Sequence, residues 1–391
     1  MSEADKGDEP STGQLSVLLL NWRDRTNPEG GGSERYVEEI AGRLVRRGHT
    51  VTLFCADHGM APRDEVRDGV RVVRRGTKLT VYPRAMGYVA RFGGRYDVVV
   101  DVQNGVPFLS PLVRRRPVVV LVHHVHREQW PVVYPRPVAR LGWWLESSVA
   151  PRVYAHAPYV TVSASTRAEL HALGVDERRT VVVHNGTEAP TATATVRSTP
   201  GQRLVVLSRL VPHKQVDHAL RVVAALGSRY ADLHLDVIGD GWWRSRLEQD
   251  AVLLGVGSRV TFHGHVTEAE KTELLSQSDI LLLPSLKEGW GLVVIEAAHV
   301  GVPAIAYRSA GGVSESIVDG HTGLLVDDHH GMVRGVESLL EDPQRRHLLG
   351  AAARERAATF SWEATAEAFE KVLQEEVALK RVRPARQELV P

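Results

Sequence analysis

The sequence predicts an α/β protein made of two doubly wound domains, and three observations carry that expectation. Short β-branched runs alternate with amphipathic stretches from end to end, which is how βαβ units on parallel sheets read. These runs form two series, separated by residues 188–202, a stretch rich in Thr, Ala and Pro and without periodicity. The chain is 391 residues long, more than a single hydrophobic core usually supports.

The first series predicts strands at 15–20, 51–54, 70–73, 98–100, 118–122, 160–162 and 181–183. Between its first two members Ser33 supplies a helix N-cap, Val37, Ile40, Ala41, Leu44 and Val45 recur at helical spacing, and Gly48 ends the segment. The second series predicts strands at 204–207, 233–238, 260–262, 280–283, 304–306 and 324–326. From residue 332 to about 380 the pattern is helical, with breaks at Asp342-Pro343 and Phe360-Ser361-Trp362. The expected organisation is a disordered tail at 1–13, an N-terminal domain at 14–190, a linker at 191–202, a C-terminal domain at 203–360, a helix at 361–380 and a tail at 381–391.

Composition bounds the function. Hydrophobic residues make up 43% and charged residues 24%, the balance of a soluble globular protein. Lys and Arg number 48 and Asp and Glu 47, a net charge of +1. No global field therefore draws the protein to nucleic acid, and any phosphate chemistry is local. Cys55, the only cysteine, excludes an internal disulfide framework and a four-cysteine zinc site and suits a reducing cytoplasm. Residues 1–13 are acidic and polar, unlike a signal peptide. Mainly apolar runs such as 15–20 and 118–122 are about six residues or fewer, against the ~20 that span a bilayer.

Open parallel sheets bind ligands at the carboxyl ends of their strands, so the loops after strands hold the candidate site. After the 280–283 strand comes Pro284-Ser285-Leu286-Lys287-Glu288-Gly289-Trp290-Gly291, opening into a helix at Leu292 that carries Glu296. Gly289 and Gly291 let backbone amides approach an anion, and the helix N-terminus adds about half a positive charge, which fits a diphosphate. Glu288 suits sugar hydroxyls and Glu296, one turn into the helix, suits the paired hydroxyls of a ribose. Either carboxylate alone reads as a solvated polar residue; together with two glycines after a buried strand they favour a binding site. Ser208-Arg209-Leu210-Val211-Pro212-His213-Lys214 follows the 204–207 strand, and Val122-His123-His124-Val125-His126 ends the 118–122 strand. The close spacing of the three histidines matches no zinc signature. Gly30-Gly31-Gly32 precedes the first helix without the G-x-G-x-x-G pattern, and Asp57 near the end of the second strand keeps a dinucleotide reading open.

The E-x7-E spacing of Glu288 and Glu296, with the intervening G-x-G, resembles the donor motif of retaining glycosyltransferases of family 4. The resemblance extends over nearly the whole chain and implies the GT-B fold, two Rossmann-like domains facing a cleft. It implies that Arg209 and Lys214, in a loop similar to the family's R-L-x-x-x-K, hold the donor diphosphate, and that Gly31 and Gly32 lie near its phosphates. Fixed cations there stabilise the charge that collects on the leaving group. It further implies that His123 faces the donor sugar beside Glu288, with His124 as the second choice because a shift of one residue exchanges their faces. The donor contacts are then Gly31, Gly32, Arg209, Lys214, Glu288, Gly289, Trp290, Gly291, Leu292 and Glu296, and the catalytic set is His123, Glu288, Arg209 and Lys214. Trp290 departs from the Phe most often seen at its position, and its larger ring is expected to narrow the donor pocket. The loop His184-Asn185-Gly186 resembles an N-G turn in which Asn supplies a positive φ. Glu315 is either a site residue or a helix cap.

The implied reaction is transfer of a sugar from a UDP- or GDP-linked donor to a hydroxyl of a glycan, lipid-linked or small-molecule acceptor, by a front-side route that keeps the anomeric configuration. No metal or other cofactor is required by the resemblance, and no ligand set stands out in the sequence. Other enzymes of the same fold, such as a nucleotide-sugar epimerase, and a catalytically silent nucleotide-sugar-binding protein remain alternatives; intact Glu288, Glu296, Arg209, Lys214 and His123 argue against the silent one. Arg114-Arg115-Arg116, Trp130, Tyr134, Arg136, Arg140, Trp143 and Trp144 form a basic and aromatic stretch. It reads as a peripheral surface on the inner face of the membrane or as a helix with inward aromatics, and packing is preferred for the tryptophans.

Overall fold

The computed structural model describes residues 13–114, 117–190 and 202–387. The expected linker at 191–202 and the tail at 1–13 lie outside them, apart from Gln202 and Gly13, and so does the end of the C-terminal tail. Among the described residues eight strands precede residue 191: β1 (Ser16–Leu20), β2 (Thr50–Cys55), β3 (Asp64–Arg67), β4 (Val70–Arg74), β5 (Val98–Gln103), β6 (Val118–Val122), β7 (Tyr159–Thr161) and β8 (Thr180–Val182). Six follow it: β9 (Arg203–Leu207), β10 (His234–Ile238), β11 (Val260–Gly264), β12 (Ile280–Leu283), β13 (Ala304–Tyr307) and β14 (Gly323–Val326). All thirteen predicted strands form, each within a few residues of its expected ends.

The two series build separate sheets. The first has the order β3-β4-β2-β1-β5-β6-β7-β8 and the second β11-β10-β9-β12-β13-β14. Every registered pair is parallel except β3 with β4. The unpredicted strand is β3, Asp-Glu-Val-Arg, whose polar, partly exposed residues carry no hydrophobic signal and which is held only at the sheet edge. Central strands are buried on both faces, as in Val17–Leu20, Val98–Val100, Leu204–Val206 and Ile280–Leu283. In each sheet the chain reverses direction of growth beside its first strand: β1 lies between β2 and β5, and β9 between β10 and β12. Such switch points open a crevice at the carboxyl ends of the two strands.

By contacts the chain divides into one compact unit of residues 1–121, 152–160 and 366–391 and a second of 122–151 and 161–365. In the first unit the loop after β1 is pinned by buried charge. Arg74 and Asp24 are both fully buried, with Nε donating to Oδ2 at 2.9 Å, and Arg74 also donates to Glu65 at 2.6 Å. Arg23 pairs with Glu34 at 2.9 Å. The helix that follows spans Gly32–Arg46 with Gly31 as N-cap, which corrects the expected cap at Ser33. The reason is Glu34: its carboxylate reaches back to accept from the Gly31 amide at 2.7 Å and from the Ser33 hydroxyl at 2.8 Å. The last helix, Trp362–Gln387, runs past the expected end at 380. Its Glu370 accepts from Arg47 at 2.5 Å and pairs with His49 at 2.9 Å.

Asp101 ends up fully buried near the end of β5, accepting from the Tyr154 hydroxyl at 2.5 Å and the Ser110 amide at 3.1 Å. Burial pushes its carboxyl up to about 6, against the pull of those hydrogen bonds. An unfolded aspartate titrates near ~3.9, so between the two values the folded protein binds the extra proton. The stability this group contributes is therefore full below about pH 4 and lost as pH rises through about 6. Denaturant midpoints measured from pH 4 to pH 7 should show that decline in the native protein and lack it in Asp101→Asn; identical slopes would contradict the assignment.

Candidate active site

The loops that carry the predicted diphosphate and sugar groups leave β9 and β12, the neighbouring strands at the switch point of the second sheet, where Leu204 pairs with Ile280 and Val205 with Leu281. The β9 loop tightens into a turn at Pro212–Lys214 and launches the helix Val216–Leu226 from Gln215, which takes a left-handed φ of 47°. The two loops are tied together by the Leu286 amide, which donates to the His213 carbonyl at 2.9 Å.

Lys214 and Glu288 meet there, Nζ donating to Oε1 at 2.5 Å, with 16% and 12% of their side chains exposed. An ammonium has three donors, so this bond leaves Lys214 able to serve a second anion. Arg209 is half-buried on the same loop. Between them His213 is buried, and burial first, then the charges of Lys214 and Arg209, push its imidazole down to about 3. It is unprotonated at neutral pH, so the positive charge of the loop resides on Arg209 and Lys214.

The β12 loop is built at very close quarters. The Glu288 amide donates to the Ala310 carbonyl at 2.8 Å and the Gly312 amide to the Glu288 carbonyl at 3.2 Å, fixing the loop against the one after β13. Gly289 lies against the stretch after β6: a Cβ there would sit 2.4 Å from the His123 carbonyl oxygen. Gly291, with φ 88°, caps the helix Leu292–His299. Leu292 is half-buried at its first position.

The structure thus brings Lys214 onto Glu288 and His123 beside Gly289. His123 is the buried histidine of the pair, its carbonyl accepting from the Thr166 hydroxyl at 3.2 Å. His124 is turned elsewhere: its Nε2 pairs with Gln129 at 3.2 Å and its ring packs on His126, centroids 4.1 Å apart. Burial, then the charge of His126, holds it well below the usual histidine range. Glu296 accepts from Lys271 Nζ at 3.0 Å, a partner that sequence reasoning missed because the lysine comes from another helix. Lys287, also unpredicted, is buried and donates to Glu169.

Other expectations change. Trp290 is buried, edge-on to Phe360 with centroids 4.8 Å apart and stacked near His184 at 6.1 Å, so its large ring fills a packed core. Glu315 is a cap: it accepts from the Ala164 and Ser165 amides at 2.9 and 3.0 Å at the start of the helix Ala164–Ala172. Asn185 does not have the positive φ expected of it. The glycine beside it is needed for space, since a Cβ on Gly186 would lie 2.3 Å from the Trp362 nitrogen. In the first unit Gly32 is exposed, and the Gly31 amide is committed to Glu34. Among the described residues no group of three or more His, Cys, Asp or Glu side chains is placed to hold a metal ion.

Two family models match the chain. Residues 30–189 match the model of "Glycosyltransferase Family 4" and residues 195–356 that of "Glycosyl transferases group 1". Over 355 residues the chain is 31% identical to a GDP-mannose-dependent alpha-(1-6)-phosphatidylinositol monomannoside mannosyltransferase of Mycolicibacterium smegmatis, covering 84% of this chain and 90% of that one. The chain belongs to glycosyltransferase family 4. This glycosyltransferase is also 28% identical to a D-inositol 3-phosphate glycosyltransferase of Corynebacterium diphtheriae, over 88% of its own length and 90% of the relative's. Solved structures share the GT-B fold: sucrose-phosphate synthase from Thermosynechococcus elongatus superposes with a TM-score of 0.79 at 20% identity, covering 94% of this chain and all (100%) of that one. HepE of Anabaena, crystallised with UDP and glucose, does so with 0.74 at 19%, covering 92% of this chain and 100% of that one.

Gly289→Ala should test the close approach to His123. Displacing a positioned group by an ångström costs about 100-fold in rate, so transfer should fall by that order while circular dichroism stays native; unchanged turnover would contradict the geometry.

Proposed function

We propose that this glycosyltransferase moves a hexose, with retention of configuration, from a nucleoside diphosphate to a hydroxyl of an inositol-containing lipid. The observation that carries the reading is the Lys214–Glu288 pair at the switch point of the second sheet. A cation and a carboxylate share one crevice there, one suited to a diphosphate and the other to sugar hydroxyls. Arg209 adds a second cation, and the neutral His213 beside them adds no charge. Donor binding exchanges part of the Lys214–Glu288 bond for phosphate oxygens, and Glu288 turns to the sugar.

Retention is proposed from the donor motif. The Glu288…Glu296 spacing resembles the donor motif of retaining family 4 enzymes, and the cations favour departure of the diphosphate. The acceptor oxygen then attacks from the face the diphosphate leaves, and the departing phosphate takes the proton. Arg209 and Lys214 supply the positive charge, so the reaction is proposed to run without a metal. GDP-mannose is the first donor to test because the mannosyltransferase relative uses it by name.

An exposed face supports a lipid acceptor. On the helix Arg136–Trp144 and the turn before it, Val132, Val138, Leu141 and Trp144 are 42–56% exposed, with Arg136 and Arg140 exposed among them. Apolar side chains interleaved with arginines suit an anionic membrane surface. Packing, preferred for the tryptophans on sequence, holds for Trp130, which is buried with its ring against Gly142, but not for Trp144. No helix among the described residues is long and apolar enough to cross a membrane.

One assay tests these parts. Vesicles of anionic phospholipid containing phosphatidylinositol are incubated with the protein and a panel of GDP-, UDP- and ADP-sugars, then sedimented. The protein should pellet with the vesicles at low salt, one sugar should enter the lipid with the donor's anomeric configuration, and a chelator should change nothing. Lys214→Ala should still pellet yet lose transfer by roughly 100–1,000-fold. An inverted product, failure to pellet, loss on chelation or an active Lys214→Ala would each refute the part it addresses.

A further inference from the structure

Glu146 is a carboxylate that the donor site does not use, and it is 1% exposed. Burying an ionised carboxylate is costly unless donors surround it. Here Oε1 accepts from the His126 backbone amide at 3.1 Å and pairs with His126 Nδ1 at 2.9 Å, while Oε2 accepts from the Trp130 indole at 2.7 Å. Among the described residues no Lys or Arg pairs with it; the titratable group it meets is the His126 ring.

The backbone that presents Glu146 is itself unusual. Leu145–Val149 is a π-helical turn set between the helices Arg136–Trp144 and Ala150–Val153, and Glu146 is its buried member. Such turns are rare and occur frequently at functional sites.

The pairing selects the tautomer of the ring. An ionised carboxylate has only acceptors, so the shared hydrogen belongs to Nδ1, and the tautomer this selects for the uncharged ring carries its lone pair on Nε2. Of the three histidines after β6, His123 is buried beside Gly289, and His124 gives its Nε2 to Gln129. His126 keeps 15% of its side chain exposed, and Nε2 is the nitrogen that Glu146 leaves unengaged. The turn Trp130–Val133, which shares Glu146 through Trp130, packs against Pro212–Lys214. The histidine therefore stands beside the loop that offers Lys214.

We propose that His126 Nε2 accepts a hydrogen bond from the attacking hydroxyl of the acceptor, and that Glu146 is the residue that positions it. The hydrogen bond orients the bound hydroxyl so that an oxygen lone pair faces the sugar carbon; as the oxygen–carbon bond forms and the carbon–phosphate oxygen bond breaks, the hydrogen passes from this hydrogen bond to the departing phosphate oxygen, and His126 stays neutral. The acceptor is favoured over the donor as owner of that hydroxyl because of chain continuity. The helix whose exposed face suits a lipid surface runs directly into the turn that holds Glu146, whereas the donor groups come from the loops after β9 and β12. The inference rests on the donor reading at Lys214 and adds to it the acceptor side.

The test compares two rates for the full chain with whichever sugar nucleotide the panel turns over: donor hydrolysis without acceptor, and transfer to phosphatidylinositol vesicles. His126→Ala should lose transfer by about 10- to 100-fold, the worth of one hydrogen bond to a reacting group, while hydrolysis persists. His126→Gln, whose amide oxygen can accept, should recover part of the transfer. Glu146→Gln should lower transfer alone, and ¹⁵N spectra of the His126 ring should lose the fixed Nδ1–H signature. Equal loss of hydrolysis and transfer in His126→Ala, or loss of neither, would overturn the proposal. Lys214→Ala should lose both rates; its retention of hydrolysis would mark failure of the donor reading instead.

Discussion

A lysine ammonium held 2.5 Å from a carboxylate, each side chain largely buried, joins the two loops at the switch point of the second sheet. The rest of the site depends on that bond. It requires the loop after β9 to tighten at Pro212–Lys214, with Gln215 in a left-handed conformation, and the loop after β12 to turn back across Gly289 and Gly291. In the absence of donor, Glu288 balances a cation that would otherwise face low-dielectric surroundings alone. The pair is therefore a structural tie and, in the proposed function, a store of charge for an anionic substrate.

The neighbours of this pair keep the charge where it is wanted. His213 lies on the same loop as Arg209 and Lys214 and is held neutral, so it adds no third cation. Lys287 is committed to Glu169 and Lys271 to Glu296 and Glu268. The loop after β1 follows the same logic in the first unit, where Arg74 with Asp24 and Arg23 with Glu34 bury their charges in pairs and shape the glycine segment ahead of the helix Gly32–Arg46.

Much of this was legible in the sequence, and the misses have physical causes. Strands buried on both faces announce themselves as β-branched runs, and thirteen of the fourteen were predicted; β3, Asp-Glu-Val-Arg, packs too little to leave a pattern. Glu288, Arg209 and Lys214 were legible because each follows a strand that the pattern marks. The helix cap was misplaced because Ser33 is a good cap in isolation, while the Glu34 carboxylate, supported by Arg23, takes Gly31. Gly186 answers to the backbone of Trp362, and Lys271 to Glu296 from another helix. Glu146 lies twenty residues from His126, a separation at which no local periodicity reports contact.

In the proposed function Lys214 is lent to Glu288 in the free protein and taken by the donor diphosphate on binding. Calorimetric titration of the nucleoside diphosphate product into Glu288→Gln tests it most directly. Neutralising Glu288 removes the competitor for Lys214, so the nucleotide should bind at least as tightly as to the native protein although sugar transfer is lost. Nucleotide binding weakened by Glu288→Gln would contradict it, because Glu288 would then be holding the nucleotide itself.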